Sequence, residues 1–280
     1  MTSWTIDGPR ELTVEPVRRV LLRTVRGSVN VVGSDAGQPR LEVTEVQGRP
    51  LRVRHEAGSL VVTHDGPWWW PGGMFGWLLL RRWTPRAAIS LAVPGDCPVE
   101  VHATAASVVV SGLRQRVAVH DISGDVTLAG LGGEVRAKTV SGAVEAEGIA
   151  GDLRLDTVSG DLTVLEGPGG TVHAQTVSGG ITLDLRAADS SDIRLTSVSG
   201  DVTIRLPHRP DLQVQLHSTS GQIASAFADL RRQDLPGMRV VQGALGGGAG
   251  RLWASTTSGH VALLRREPDP DLDRPAQERS

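Results

Sequence analysis

Over most of its length the chain alternates apolar and polar residues in short bursts, each ending at a corner that carries glycine. Aligning the bursts gives columns. One runs Val126, Val144, Leu162, Ile181, Val202, Ile223, Val261; two residues later come Leu128, Ala146, Val164, Leu183, Ile204, Ser225, Leu263. A second set begins with Val117, Val135, Leu153, Val172, Ile193 and Leu212. It is followed two residues on by Val119, Ala137, Leu155, Ala174, Leu195 and Val214. Apolar residues at i and i+2 with polar ones between have the period of a strand with one buried face. The pattern predicts two or three short strands per unit, joined by tight corners.

The units are marked by a Ser-Gly pair at Ser123-Gly124, Ser141-Gly142, Ser159-Gly160, Ser178-Gly179, Ser199-Gly200, Ser220-Gly221 and Ser258-Gly259. The serines are spaced by 18, 18, 19, 21, 21 and 38 residues, the last close to two units. The approach reads TVSG from Thr139, Thr157 and Thr176, and SVSG from Ser197. The departure reads GDVTL from Gly124, GDLTV from Gly160, GGITL from Gly179 and GDVTI from Gly200. Units of this length are too short for two packed helices, and none can bury its apolar face alone. Stacked at about 4.8 Å they make one continuous core. The fold expected is all-β: a single-domain, right-handed β-solenoid (β-helix) with 18–21 residues per coil.

Two expectations attach to the corners. Gly124, Gly142, Gly160, Gly179, Gly200, Gly221 and Gly259 are expected at positive φ, which glycine adopts without a Cβ clash. Val140, Val158, Val177 and Val198, just before the serines, are expected to turn inward and fill the corner. Gly130-Leu131 lies 18 residues after Gly112-Leu113, carrying the repeat back one coil to a corner that reads Ala105-Ala106.

Residues 1–104 lack the Ser-Gly mark but still alternate, as in SVNVV from Ser28 and LRVRHE from Leu51. They are read as degenerate coils or an N-terminal cap, with a Trp-rich insertion at 66–83. Residues 105–265 form the repeat solenoid, interrupted by an irregular insertion from Asp229 to Gly250. Residues 266–280, rich in Asp, Arg, Glu and Pro, are expected to be disordered.

The TVSGDV-type repeats resemble a bacterial β-solenoid family of unknown function whose members are labelled adhesins. The resemblance covers roughly Val99 to Leu264. It implies a β-helical fold and an envelope-linked interaction role, and it brings no catalytic residues.

Composition narrows the chemistry. Lys and Arg number 29 against 31 Asp and Glu, a net charge of −2, which argues against a nucleic-acid partner held by a basic field. Lys138 is the only lysine, so Schiff-base or lysine-dependent phosphate chemistry would rest on one residue. Cys97 is the only cysteine, which excludes an intrachain disulfide and a cysteine zinc cluster. Met1 to Arg10 carries Asp7, Gly8 and Pro9 where a signal peptide needs a basic and then an apolar region. The expected location is cytoplasmic, or peripheral at the membrane.

Several outward columns invite a functional reading. Glu134, Asp152, Asp192 and Asp211 line up, with Arg136, Arg154, His173 and Arg194 two residues on. A polysaccharide- or anion-reading stripe is one account; a ladder of weak exposed ion pairs is favoured, because the charges cancel. His102 and His120 stack on neighbouring coils, but Lys138 follows, so no metal site is expected. Asp125, Asp161 and Asp201 are read as turn-stabilising, since the nine-residue repeat of calcium-binding solenoids is absent. Thr127, Thr163, Thr182 and Thr203 form a column that Glu145 breaks. Gly167 and Gly246 open glycine-rich turns without the strand-to-helix context of a phosphate loop.

The exception is residues 66–83, with Trp68, Trp69, Trp70, Phe75, Trp77, Arg81, Arg82 and Trp83. Nothing in a solenoid repeat requires it. Its fifteen uncharged residues, 66–80, hold four glycines and two prolines and fall short of the roughly 20 needed to span a bilayer. Tryptophan favours the membrane–water boundary, so the segment is read as a contact for a membrane or an unidentified protein, or as a lid on the first coil. The expected function is a non-catalytic scaffold or binding module without a cofactor. A carbohydrate-active β-helix enzyme, of polysaccharide lyase or hydrolase type, is the alternative, and it requires a groove with facing carboxylates and an arginine.

Overall fold

The alternating columns lie inside the protein, whose computed structural model describes residues 2–35, 38–64, 85–167, 170–186 and 191–267. Strands on one side of each coil pair in parallel with those of the next. Val117 stands opposite Val135, then Leu153, Val172 and Ile193 follow in register. On the other side Val126 is followed by Val144, Leu162, Ile181 and Val202. These ten side chains are each exposed by 1% or less. Two sheets result, of fourteen and twelve strands among the described residues, and one apolar cluster runs between them from Ile6 to Leu263. The Trp-rich stretch and the tail beyond Glu267 lie outside the described residues.

Stacking in chain order fails at both ends. The coil made by Arg19–Arg23 and Arg26–Ser34 sits between Ser59–His64 with Arg86–Pro94 on one side and Val99–His102 with Ala105–Ser111 on the other. The last coil, Gly250–Thr256 with Val261–Arg265, sits between Asp192–Ser197 with Val202–Leu206 and Leu212–Ser218 with Ile223–Ser225. The 38-residue spacing is therefore no double step, because Ser258 stacks on the Ser199 corner and Ser220 stacks on the Ser258 corner. Register there also moves by two: Val214, not Leu212, continues the Ile193 column through Leu252. A two-residue shift keeps the same face inward, which is why alternation alone did not reveal it.

Antiparallel strands close both ends of the first sheet and the near end of the second. Thr2–Ile6 pairs with Leu51–Glu56, and Arg10–Thr13 with Arg40–Gln47, which continues the second sheet beside Arg86–Pro94. At the far end the expected irregular insertion is a hairpin, Arg231–Leu235 with Met238–Leu245, laid on Leu212–Ser218. Open parallel edges would template aggregation; these strands cover both ends of the first sheet and the near end of the second, whose far edge is the short strand Ile223–Ser225. Arg266 is tied down as well. It and Arg205 flank the buried carboxylate of Asp184, and its N–H donates to the Leu206 carbonyl at 2.8 Å.

The Ser-Gly corners correct both expectations made for them. Gly124, Gly160, Gly179, Gly200, Gly221 and Gly259 do not have positive φ; only Gly142 does, at 154°. Close stacking is what requires glycine. A Cβ built on Gly160 would lie 1.9 Å from the Gly142 carbonyl oxygen, and one on Gly200 1.8 Å from that of Gly179. Val140, Val158, Val177 and Val198 point outward, 44% to 47% exposed, in line with Ile122. The inward place belongs to the residue before each, Thr139, Thr157, Thr176 or Ser197. At Ser197 the hydroxyl serves two corner groups: its Oγ accepts from Gly200 N–H at 2.8 Å and donates to the Gly179 carbonyl at 3.4 Å, whereas the Thr139 and Thr157 hydroxyls have no partner.

Candidate binding face

Residues between the buried positions of the first sheet face outward, so stacking sets side chains from successive coils side by side. On the middle coils several of these charges pair with one another, while Asp152 accepts from Thr171 N–H at 3.3 Å. Glu134 lies 2.6 Å from Arg136 and 3.7 Å from Arg116, and Asp156 lies 3.2 Å from Arg154 and 3.8 Å from Lys138. Such exposed pairs contribute about 0–1 kcal/mol each. His102 and His120 stack with ring centroids 5.0 Å apart, and the His102 Nε2 meets a Glu100 oxygen at 2.8 Å. Burial, with the charges of His102 and Lys138 beside it, lowers the His120 pKa, which disfavours a second positive charge in the stack. Among the described residues no cluster of three or more metal-type side chains occurs.

The aspartates after the corner glycines bond to the next coil. Asp125 accepts from Ala143 N–H at 3.0 Å, Asp161 from Gly180 at 2.8 Å and Asp201 from His260 at 2.7 Å. Each receiving coil lacks an aspartate at that position, which keeps carboxylates from standing one strand spacing apart. The exposed valine row at the same corner is narrow. Five half-exposed side chains fall far short of the roughly 800 Å² per partner that a stable interface buries.

The far end of the sheet differs. Strand register sets Arg194, Trp253, Gln215, Gln242 and Arg231 in one outward row that crosses five strands. Asp192, Arg251, Gln213 and Ala244 form the row beside it. Together with Asp229 these residues line an open cleft of about 910 Å³. The Arg194 guanidinium lies 4.6 Å over the Trp253 ring, and His217 is tilted against the indole at 6.2 Å. Arg194, Arg231, Arg251, Asp192 and Asp229 are exposed, and none forms an ion pair within 4.0 Å among the described residues.

Of the residues singled out in sequence, this cleft brings together Asp192 and Arg194. Asp211 lies outside the row, where Gln213 stands; it accepts from Ala249 N–H at 3.1 Å instead. Trp253, Arg251, Gln215, Gln242, Arg231 and Asp229 went unnoticed, because their meeting depends on the out-of-order coil and the hairpin. One signal was present: Trp253 is the only tryptophan within a repeat coil, and it occupies an outward position. Trp68, Trp69, Trp70, Phe75, Trp77, Arg81, Arg82 and Trp83 all lie outside the described residues.

No curated protein matches the sequence. Among solved structures the chain is similar to a candidate adhesin of Bacteroides fragilis NCTC 9343, at 12% identity and a TM-score of 0.52, over 94% of this chain and 97% of that one. A candidate lipid-binding protein of Parabacteroides distasonis ATCC 8503 matches at 12% identity and a TM-score of 0.41, over 93% and 97% of the two chains. A candidate adhesin of Parabacteroides merdae ATCC 43184 matches at 10% and 0.37, over 93% and 96%. The Bacteroides likeness concerns the fold alone. Residues 20–264 match the family described as Toastrack DUF4097, and the chain therefore belongs to that family.

Proposed function

We propose that this protein is a non-catalytic binding scaffold acting at a bacterial envelope. One observation carries the reading: a single apolar core links every coil, so outward side chains are held on a rigid frame at intervals of about 4.8 Å. Such a frame suits recognition over an extended surface. Membership of a Toastrack family and an adhesin-type structural neighbour support it. In this reading the protein sits at the membrane face through residues 66–83, where Trp68, Trp69, Trp70 and Trp77 enter the interfacial region and Arg81 and Arg82 meet lipid phosphates. Co-sedimentation with anionic vesicles tests this. Binding that is lost on changing the four tryptophans to Ser, with the β-type circular dichroism kept, supports membrane contact; no sedimentation of the native protein removes it.

The enzyme reading draws on one specific observation, since the cleft holds two carboxylates and three guanidiniums. A glycoside-cleaving pair needs one carboxyl kept protonated by an apolar setting. Asp192 and Asp229 are both exposed to solvent, which favours binding over cleavage.

A further inference from the structure

We propose that the cleft over Arg194, Trp253, Gln215, Gln242 and Arg231 is a saccharide site, and that its ligand is an extended β-linked polysaccharide lying along the stacking axis. This adds a ligand to the scaffold reading and is separate from the membrane contact of residues 66–83.

The chemistry of the lining selects the class. Sugar hydroxyls donate and accept at once, and neighbouring ones present a fixed pair of bonding directions. Planar side chains answer such pairs: guanidiniums donate only, carboxylates accept only, and amides do both. The cleft supplies all three kinds, with Trp253 giving an apolar surface for the C–H face of a pyranose ring. Arg194 covers one face of the indole, so a sugar ring packs on the other. A polyanion or an acidic peptide fits less well, because Asp192 and Asp229 share the cleft with the arginines.

Geometry selects the extended form. The row advances one strand at a time, roughly 4.8 Å per step, and each sugar of an extended β-linked chain advances by about the same length. A linear oligomer along the row therefore meets a new side chain at each residue. The middle coils lack this capacity, since the equivalent charges of Arg116, Glu134, Arg136, Arg154 and Asp156 are already paired. At the far end the same kinds of side chain are left open to a ligand.

The test is isothermal titration of the full chain with cellohexaose, chitohexaose, mannohexaose and xylohexaose. At least one of them is expected to bind. Trp253→Ala, and separately the pair Gln215→Ala with Gln242→Ala, should each weaken that binding by at least about tenfold at an unchanged melting temperature. Arg136→Ala on the paired middle face should leave it unchanged. Failure of all four sugars to bind overturns the proposal, as does binding that survives both cleft variants. Recovery of shortened sugar supports the site and overturns the non-catalytic reading.

Discussion

The two corners of each coil both use glycine, and for opposite reasons. At the Ser-Gly corner backbones approach so closely that a methyl group has no room, while φ is ordinary in all but Gly142. At the other corner Gly112, Gly130 and Gly148 have φ of 69°, 59° and 61°, the left-handed region. A Cβ on Gly130 would meet nothing within 4 Å. One corner is limited by space and the other by backbone conformation. The second accepts a large side chain: one coil on, its place is taken by Glu166, at φ 51°. The first alternates Ala87, Gly27 and Ala106 at the near end and holds glycine in every coil from Gly124 onward, never a larger residue.

The widest separation between the corners should come from alanine. Gly160→Ala sets a Cβ 1.9 Å from a backbone oxygen that cannot swing away. We expect a loss of about 3 kcal/mol or more, or no folding. Gly130→Ala should cost only about 1 kcal/mol, from backbone conformation alone. Urea denaturation of both decides the matter, and equal losses would break the distinction.

A smaller effect is expected at Asp121, which takes the inward place of the Ser-Gly corner where later coils have Thr or Ser. It is 5% exposed; Oδ1 accepts from Ile122 N–H at 2.7 Å, and Oδ2 has no partner. The position built for a Cβ on Gly124 lies 2.4 Å from that Oδ2 and 2.0 Å from the Ala106 carbonyl oxygen. In the later coils a hydroxyl donates across the same gap, as Thr256 does to Gly200 at 3.0 Å, while those of Thr139 and Thr157 have no partner. A carboxylate cannot donate, and burial accordingly raises the Asp121 pKa. The folded protein therefore holds this proton more tightly than the unfolded chain does. Stability falls as pH rises through the ordinary carboxylate range toward the raised value, then stays lower. Asp121→Thr should gain about 1 kcal/mol at pH 7, and the gain should shrink below about pH 4. A gain independent of pH would exclude the buried charge of Asp121 as its cause.

The smallest effect is expected at Glu166→Gly. Relief of the left-handed backbone is offset by the freedom glycine adds to the unfolded chain and by loss of the exposed Arg186 pair. A net gain near 0.5 kcal/mol is expected. A loss above about 1 kcal/mol would mean that the second corner is not governed by φ.

The sheets were legible because alternation and spacing are local: Val126, Val144 and Leu162 declare both face and register. The corners were half legible. Their glycines stood out, but sequence does not distinguish a glycine needed for space from one needed for φ. The valines before the serines misled, since alternation through a tight bend gives the inward place to Thr139 or Thr157. The cleft was barely legible. Arg194 meets Trp253 only because the chain returns from residue 250 to a position left open beside residue 197, and no periodicity encodes that return.

That return governs the order of assembly. A rod whose coils stacked in chain order could grow as it left the ribosome, each new coil docking on the last. Here Leu212–Ser218 can pair with its own hairpin, but it joins the stack only once Gly250–Thr256 has been made. The far end must wait, its partners separated by the whole hairpin, and a chain released before residue 250 leaves Asp192–Ser197 as an uncovered parallel edge. The insertion makes the closing coil a proof of length, because only a chain translated to Arg265 can complete its own end.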